Sequence, residues 1–292
     1  MICSICPRNC GVDRSTVTGF CGVGDKIKVA RAAPHFWEEP PISGSRGSGA
    51  VFFSGCNLRC VFCQNEKISH GCYGRETGVD GLLRIFDNLV NSGVHNINLV
   101  TPSHYAAQIA KALVKFDSPI PVVYNTSSYE KPETLKMLEG LIDIYLPDIK
   151  YYDSAPAMKY SSAADYFEKA SAAVLEMYRQ TGDLVTDGEG IAKKGIIIRH
   201  MVLPGNISQA VKVFSWVRDN LSPETYISVM RQYTPYGEAK TLGPIDRELS
   251  AREYSIVKEK ISGLGFTNVF YQKKSSSGEI FIPDFNLEGV DL

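Results

Sequence analysis

Three cysteines, Cys56, Cys60 and Cys63, fall within the eight residues Cys56-Asn57-Leu58-Arg59-Cys60-Val61-Phe62-Cys63. They follow Ala50-Val51-Phe52-Phe53-Ser54, an apolar run of strand length opened by Gly47-Ser48-Gly49. The thiols therefore sit where a buried strand passes into its loop, and gaps of three and two residues let a short loop turn the sulfurs toward one point. Three ligands are one fewer than an ordinary four-cysteine iron–sulfur cluster takes, so a cluster held here keeps one iron open to an outside ligand. Buried core cysteines account poorly for such density. A three-ligand zinc site would more often include histidine. The rest of the chain has to serve that open iron.

A second constellation, Cys3, Cys6, Cys10 and Cys21, opens the chain, with Pro7 and Gly11 at its turns and Gly19 and Gly22 around the last cysteine. Four thiolates make a closed shell, the structural kind of site, and zinc or a second iron–sulfur cluster fits it. Two disulfides are the alternative. The start of the sequence lacks a charged region followed by an apolar one, so the expected compartment is a reducing cytoplasm, which argues against them. Cys72 lies outside both groups and is expected to be a lone thiol without a role.

Lys plus Arg (31) nearly balance Asp plus Glu (32), which leaves no basic footprint for nucleic acid or an anionic membrane. No apolar stretch reaches the ~18–20 residues of a membrane span. At 292 residues the chain can bury one barrel-sized domain with an appendage.

Behind the cysteine strand, strand and helix patterns alternate. Leu82, Ile85, Phe86, Leu89 and Val90 mark one apolar helix face. A strand over 96–101 precedes a helix carrying Tyr105, Ile109, Leu113 and Phe116. Strands over 120–125, 142–146, 195–203 and 226–230 follow, separated by helices through Leu135 and Leu138, through Phe167 to Met177, and through Val211, Phe214 and Val217. An irregular tyrosine-rich loop is expected after the fourth strand. The last helix opens on Ser250 and Glu253, a capping-box pattern. Residues 27–31 and 269–271 read as edge strands, and Pro40-Pro41 as a stop to regular structure. The reading is α/β: a partial (β/α)6 TIM-like barrel, because six units are too few to close an eightfold one. Its expected bounds are a Cys-rich N-terminal extension over 1–46, the barrel over 47–272, and a polar tail over 273–292. His35 and Glu38 are within reach of the site, but a satisfied surface pair accounts for them better.

Active sites in such folds collect at the C-terminal strand ends. These ends carry the Cys56 loop, Thr101 to His104, Asn125 to Ser127, Asp148 to Lys150, Arg199-His200 and Met230 to Tyr233. Together they form a candidate ring of ligand contacts.

The cysteine loop, with the aromatic Phe62 before its third cysteine, resembles the motif of the radical S-adenosylmethionine (SAM) superfamily. Ser54 to Asn65, Asp148-Ile149-Lys150 and Arg199 to Gly205 resemble the pyruvate formate-lyase activating enzyme and its relatives, in a branch that also carries an N-terminal Cys-Pro-Arg-Asn-Cys segment. The resemblance implies a [4Fe–4S] cluster on Cys56, Cys60 and Cys63. It further implies SAM chelated at the open iron and cleaved to a 5′-deoxyadenosyl radical, with a flavodoxin or ferredoxin as reductant. It sets Phe62, Asn125, Asp148, Lys150 and His200 against SAM. The family's Gly-Gly-Glu is absent, so Thr101 or Ser103 is expected to take its contact. The implied activity is hydrogen abstraction, as an activase of a glycyl radical enzyme or directly on a small molecule or peptide. The alternative from another class is a non-catalytic iron–sulfur electron carrier.

Overall fold

The computed structural model describes residues 2–273 and 282–290. Its strands are β1 (Ile27–His35), β2 (Ser48–Phe53), β3 (Arg75–Thr77), β4 (Ile97–Val100), β5 (Val122–Thr126), β6 (Ile144–Pro147), β7 (Val185–Thr186), β8 (Ala192–Met201), β9 (Tyr226–Met230) and β10 (Val269–Tyr271). They line up as β10-β9-β8-β6-β5-β4-β2-β1-β3, with β7 paired to β8. The run from β2 to β10 is parallel, whereas β1 is antiparallel to both β2 and β3. The six expected strands are thus the staves of an open α/β barrel. The two expected edge strands differ in outcome, because β10 ends the sheet while β1 is covered by β3.

Parallel strands bury both faces, so each reads as a nearly continuous apolar run whose alternation matters in three dimensions. On β5, Tyr124 packs outward into the main core, while Val123 and Asn125 face the barrel interior. On β8, Ile196 and Ile198 pack outward, and Ile197, Arg199 and Met201 face inward. The outer face is covered by helices Val79–Asn91, Ala106–Leu113, Tyr166–Thr181, Ile207–Asn220 and Ala251–Ser262. Helix Ala251–Ser262 starts with the expected capping box between Ser250 and Glu253. Gly195 has φ +120°, and a Cβ there would collide with the Asp183 carbonyl. This is where β8 squeezes past the chain that feeds it.

Two local expectations need correction. Pro40-Pro41 does not stop regular structure: the two prolines begin a one-turn helix, Pro40–Ser43, at positions whose N–H groups lack a helical partner anyway. The tyrosine-rich stretch after β6 is not all loop, since Ser154–Ser161 is a helix with Pro156 tolerated in its first turn. Where the tail is described, part of it packs on the sheet. Phe285 is buried on Phe52, and Leu287 N donates to the Ala30 carbonyl of β1. The polar stretch over 274–281 lies outside the described residues. Residues 27–46, counted above with the N-terminal extension, supply β1 to the sheet and the Pro40–Ser43 turn to the barrel interior. There Ile42 packs with Val123, Ile144, Leu146, Ala192 and Ile197. No helix among the described residues is long and apolar enough to cross a membrane.

Candidate active site

Beyond the Ile42 plug, the interior opens into a cavity of about 570 Å³, a size that suits a cofactor-sized ligand. Cys56, Cys60, Cys63 and Phe62 line it, as do Thr101, Asn125, Asp148 and Lys150. Strand parity brings these groups together, and each comes from a strand end or the loop behind it.

The cysteine loop arrives from β2 through Gly55, at φ +84°, where a Cβ would lie 2.7 Å from the Cys21 carbonyl. Cys56 N donates to that same carbonyl at 3.2 Å. Each loop sulfur already accepts a hydrogen bond: Cys56 from Leu58 N at 3.3 Å, Cys60 from the Ser161 hydroxyl at 3.0 Å, and Cys63 from the Ser69 hydroxyl at 3.2 Å. Burial, followed by repulsion from Cys56 and Cys60, pushes the Cys63 thiol up to about 12, and burial also raises Cys56. Thiolates in this position therefore need a bound cation. Among the described residues, no group of three or more His, Cys, Asp or Glu side chains could hold a metal ion as it stands. A cluster asks for less than convergence on one ion, because its thiolates bind different irons. Three thiols on one cavity wall, each with a donor on its sulfur, fit such a group.

On the side next to the plug stands a buried charge array centred on Arg199. Its Nε donates to Asp148 Oδ1 at 2.8 Å, one terminal nitrogen to Glu38 Oε2 at 2.8 Å, and the other to Asn125 Oδ1 at 2.6 Å. Asp148 also pairs with Lys150 Nζ at 2.9 Å, and Asn125 Nδ2 donates to Glu38 Oε1 at 2.9 Å. Burial alone would raise Asp148, but Arg199 and Lys150 outweigh it and hold the carboxyl below its ordinary value. Burial opposes the Lys150 charge too, and Asp148 and Cys60 together overcome it. Glu39 lies 3.6 Å from Arg199, and burial raises its carboxyl. Two cations thus face the carboxylates of Asp148 and Glu38, with Glu39 biased toward its neutral form.

The cavity gathers Phe62, Thr101, Asn125, Asp148 and Lys150 but not Ser103, whose hydroxyl is bonded to Glu130, and not His200. His200 does not line it: the ring is buried on the outer face of β8, with Nδ1 at 2.5 Å from the Ile149 carbonyl and Phe214 edge-on at 5.8 Å. The reason is period two, since Arg199 and Met201 point inward and the residue between them must point out. Glu38 and His35 are not a surface pair. Both line the cavity, Glu38 bonded to Arg199 and His35 edge-on to Phe52 at 5.9 Å. Glu39 and the hydroxyls of Ser69 and Ser161 are site groups that the sequence does not mark, whereas Arg199 belongs to the expected strand-end ring and the structure adds its place at the centre of the array. Parity on β8 selects Arg199 over His200 as the inward group; nothing local marks Glu39, Ser69 or Ser161.

The N-terminal cysteines form a small knuckle beside the loop, with Cys6 and Cys21 buried and Cys3 and Cys10 half-buried. Phe20 N donates to Cys10 Sγ at 3.3 Å, and burial pushes the Cys6 thiol up to about 12. Cys72 is not remote from this group, because its Sγ stands over Gly22 and faces the Cys21 carbonyl at 3.9 Å.

Residues 50–206 match the model of the radical SAM superfamily, more than half of the chain, and the chain belongs to that superfamily. It is 29% identical over 260 residues to uncharacterised protein MJ0674 of Methanocaldococcus jannaschii, covering 86% of this chain and 71% of that one. It is 25% identical over 256 residues to protein MJ0808 of the same organism, covering 80% and 71%. Among solved structures it is similar to Streptococcus suis SuiB bound to SAM, with TM-score 0.50 and 15% identity, over 75% of this chain and 48% of SuiB. SuiB bound to its precursor peptide SuiA gives TM-score 0.53 and 15% identity, over 75% and 46%. The chain spans about half the length of SuiB, and the likeness is one of fold. Membership in the superfamily implies a [4Fe–4S] cluster and SAM.

Proposed function

We propose that this chain cleaves SAM at a [4Fe–4S] cluster on Cys56, Cys60 and Cys63 and takes a hydrogen atom from a polypeptide, as an activase of a glycyl radical enzyme does. One observation carries the SAM reading: the open three-thiol set and the Asp148–Lys150–Arg199–Asn125 array line the same cavity. When bound, the cluster supplies the electron that splits SAM into methionine and a 5′-deoxyadenosyl radical. Lys150, fixed on Asp148, offers a positioned cation to the methionine carboxylate. Asn125 has its amide oriented by Arg199 and Glu38, and so presents a set donor and acceptor rather than a free rotor. Thr101, at φ +59° on the cavity wall, stands where the family's Gly-Gly-Glu is missing. Phe62 packs edge-on to Tyr160 and Tyr233, at 6.4 and 5.8 Å, and so has a fixed place on the cavity wall beside the thiols. A flavodoxin- or ferredoxin-type protein would deliver the electron.

The polypeptide substrate is supported by the fold likeness to SuiB, a protein seen with its precursor peptide. A second reading, direct action on a small molecule, is favoured by the polar cavity side of Glu38 and Glu39, which leaves bonding capacity deep inside. The two separate by isotope. Extract from cells grown on α-deuterated glycine is split into protein and small-molecule fractions, and each is incubated with reconstituted enzyme, SAM and reductant. Deuterium entering 5′-deoxyadenosine from the protein fraction supports the activase, and from the other fraction the second reading. The Cys60→Ala variant should form no 5′-deoxyadenosine; if it does, the cluster assignment fails.

The knuckle supports a further part of the reading, in which Cys3, Cys6, Cys10 and Cys21 hold a second metal, zinc or an iron–sulfur cluster. Metal analysis of a variant lacking the three loop cysteines tests this, and neither zinc nor iron near one equivalent of site would overturn it.

A further inference from the structure

The knuckle sends one side chain out of its own fold. Arg8, between Cys6 and Cys10, reaches the catalytic loop and the end of helix Ser154–Ser161 together. Its Nε donates to the Asn57 carbonyl at 2.8 Å, and its terminal nitrogens donate to the Ser161 carbonyl at 2.8 Å and to the Ser162 carbonyl. The guanidinium lies over Phe20, 3.9 Å from the ring centre, with Tyr129 at 5.1 Å.

Each partner has a reason to need it. Ser161 closes its helix and Ser162 follows in the left-handed region at φ +49°, so their carbonyls have no helical donor. A cation is also what the negative end of a helix favours. Asn57 lies inside the cysteine loop and is fully buried, its side-chain Nδ2 donating to the Tyr129 carbonyl at 2.7 Å. One planar fork with several donors meets all three carbonyls, a geometry that lysine cannot reproduce.

The helix end held by Arg8 also touches the cluster ligands. The Ser161 hydroxyl, 2.7 Å from Tyr151 OH, donates to Cys60 Sγ at 3.0 Å, and Val61 N donates to the Tyr160 carbonyl at 3.0 Å. The cluster's electronic setting thus depends on where this helix end sits against the loop. We infer that Arg8 is a positioning residue for the cluster: it fixes Ser161 against Cys60 and so sets the reduction potential at which SAM is cleaved. Hydrogen bonds to ligand sulfurs stabilise the more negative, reduced cluster and raise its potential. Loosening this bond should lower it.

The inference rests on the three loop cysteines holding a [4Fe–4S] cluster, which the iron content and EPR spectrum of reconstituted wild-type protein establish separately. Without that cluster the functional reading fails before Arg8 comes into question. The test is a double-mutant cycle read by redox titration. Ser161→Ala and Arg8→Ala should each move the potential to more negative values, and the double variant should move it no further than the larger single shift. Arg8→Lys should fall between Arg8→Ala and wild type. A wild-type potential in Arg8→Ala overturns the inference, and so do shifts that add in the double variant. If Arg8→Ala does not load iron, Arg8→Lys decides alone: a lowered potential sustains the role, and a wild-type one removes it.

Discussion

At the scale of single residues, two positions that look equivalent in sequence have opposite expected behaviour. Lys150 lines the cavity and His200 backs the sheet. Lys150→Ala should therefore weaken SAM binding by roughly 1.5–3 kcal/mol, on the order of 10–100-fold, with iron content unchanged. His200→Ala should leave the intrinsic SAM contacts in place and lower the melting temperature instead, because it empties a buried site beside Phe214. Equilibrium binding to reconstituted protein and a thermal melt distinguish the two outcomes. Glu130 supplies a pH signature. Its buried carboxyl accepts from Thr126 at 2.6 Å and Tyr124 at 3.3 Å and from Ser103, yet burial still pushes it up to about 7. A carboxyl whose folded pKa is raised contributes stability that is present below its unfolded value and lost as pH rises through the folded one. Glu130→Gln removes that loss, so its stability relative to wild type should rise from pH 4.5 to about 7 and then level off. The rise would be on the order of 3 kcal/mol at most. Parallel melting curves across that range would refute this.

At the scale of elements, the hinge between β2 and the cysteine loop is tuned to one residue. Gly55→Ala would place a methyl 2.7 Å from the Cys21 carbonyl in a conformation that already favours glycine. The variant should part the knuckle from the loop and reduce iron loading, with the circular-dichroism spectrum little changed; full loading would show the close approach to be dispensable. The same region explains how far the sequence could be read. The cysteine loop, the strand ends at Asn125, Asp148 and Lys150, and the capping box were legible because each depends on local spacing or chemistry. Residue orientation on β8 was partly legible, since the alternation Ile197, Arg199, Met201 is present, but the match of Arg199-His200 to a familiar pattern hid it. The helices Pro40–Ser43 and Ser154–Ser161 were not legible. The first is too short for a periodic signal, and the second carries a proline and little amphipathic contrast, so tertiary packing decides both. Glu38 could be set within reach of the site from sequence but not joined to it, because its partners Asn125 and Arg199 lie 87 and 161 residues away.

At the scale of the whole molecule, the family match over residues 50–206 covers neither wall of the cavity completely. Glu38 and Glu39 enter from before it, and Ser228, Met230 and Gln232 from after it. The segment between β1 and β2 is the more consequential of the two, because it fills the barrel rather than merely flanking it. Ile42 is fully buried among Val123, Ile144, Leu146, Ala192 and Ile197, and the two glutamates that reach the Arg199 array stand a few residues before it on the same short stretch. Stability and ligand binding should therefore be coupled through this plug. Ile42→Ala removes buried methyl groups and leaves a void that rigid strands cannot close, at an expected cost of about 2–4 kcal/mol by chemical denaturation. The same variant frees the turn that carries Glu38, so Arg199 and Asn125 lose a fixed partner and SAM affinity should fall although the Ile42 side chain does not line the cavity. Ile42→Val should show both effects in the same order and smaller. If Ile42→Ala is destabilised by that amount yet binds SAM as tightly as wild type, the plug supports the barrel without setting its cavity, and Glu38 is held in place by its bonds to Arg199, Asn125 and Asn98.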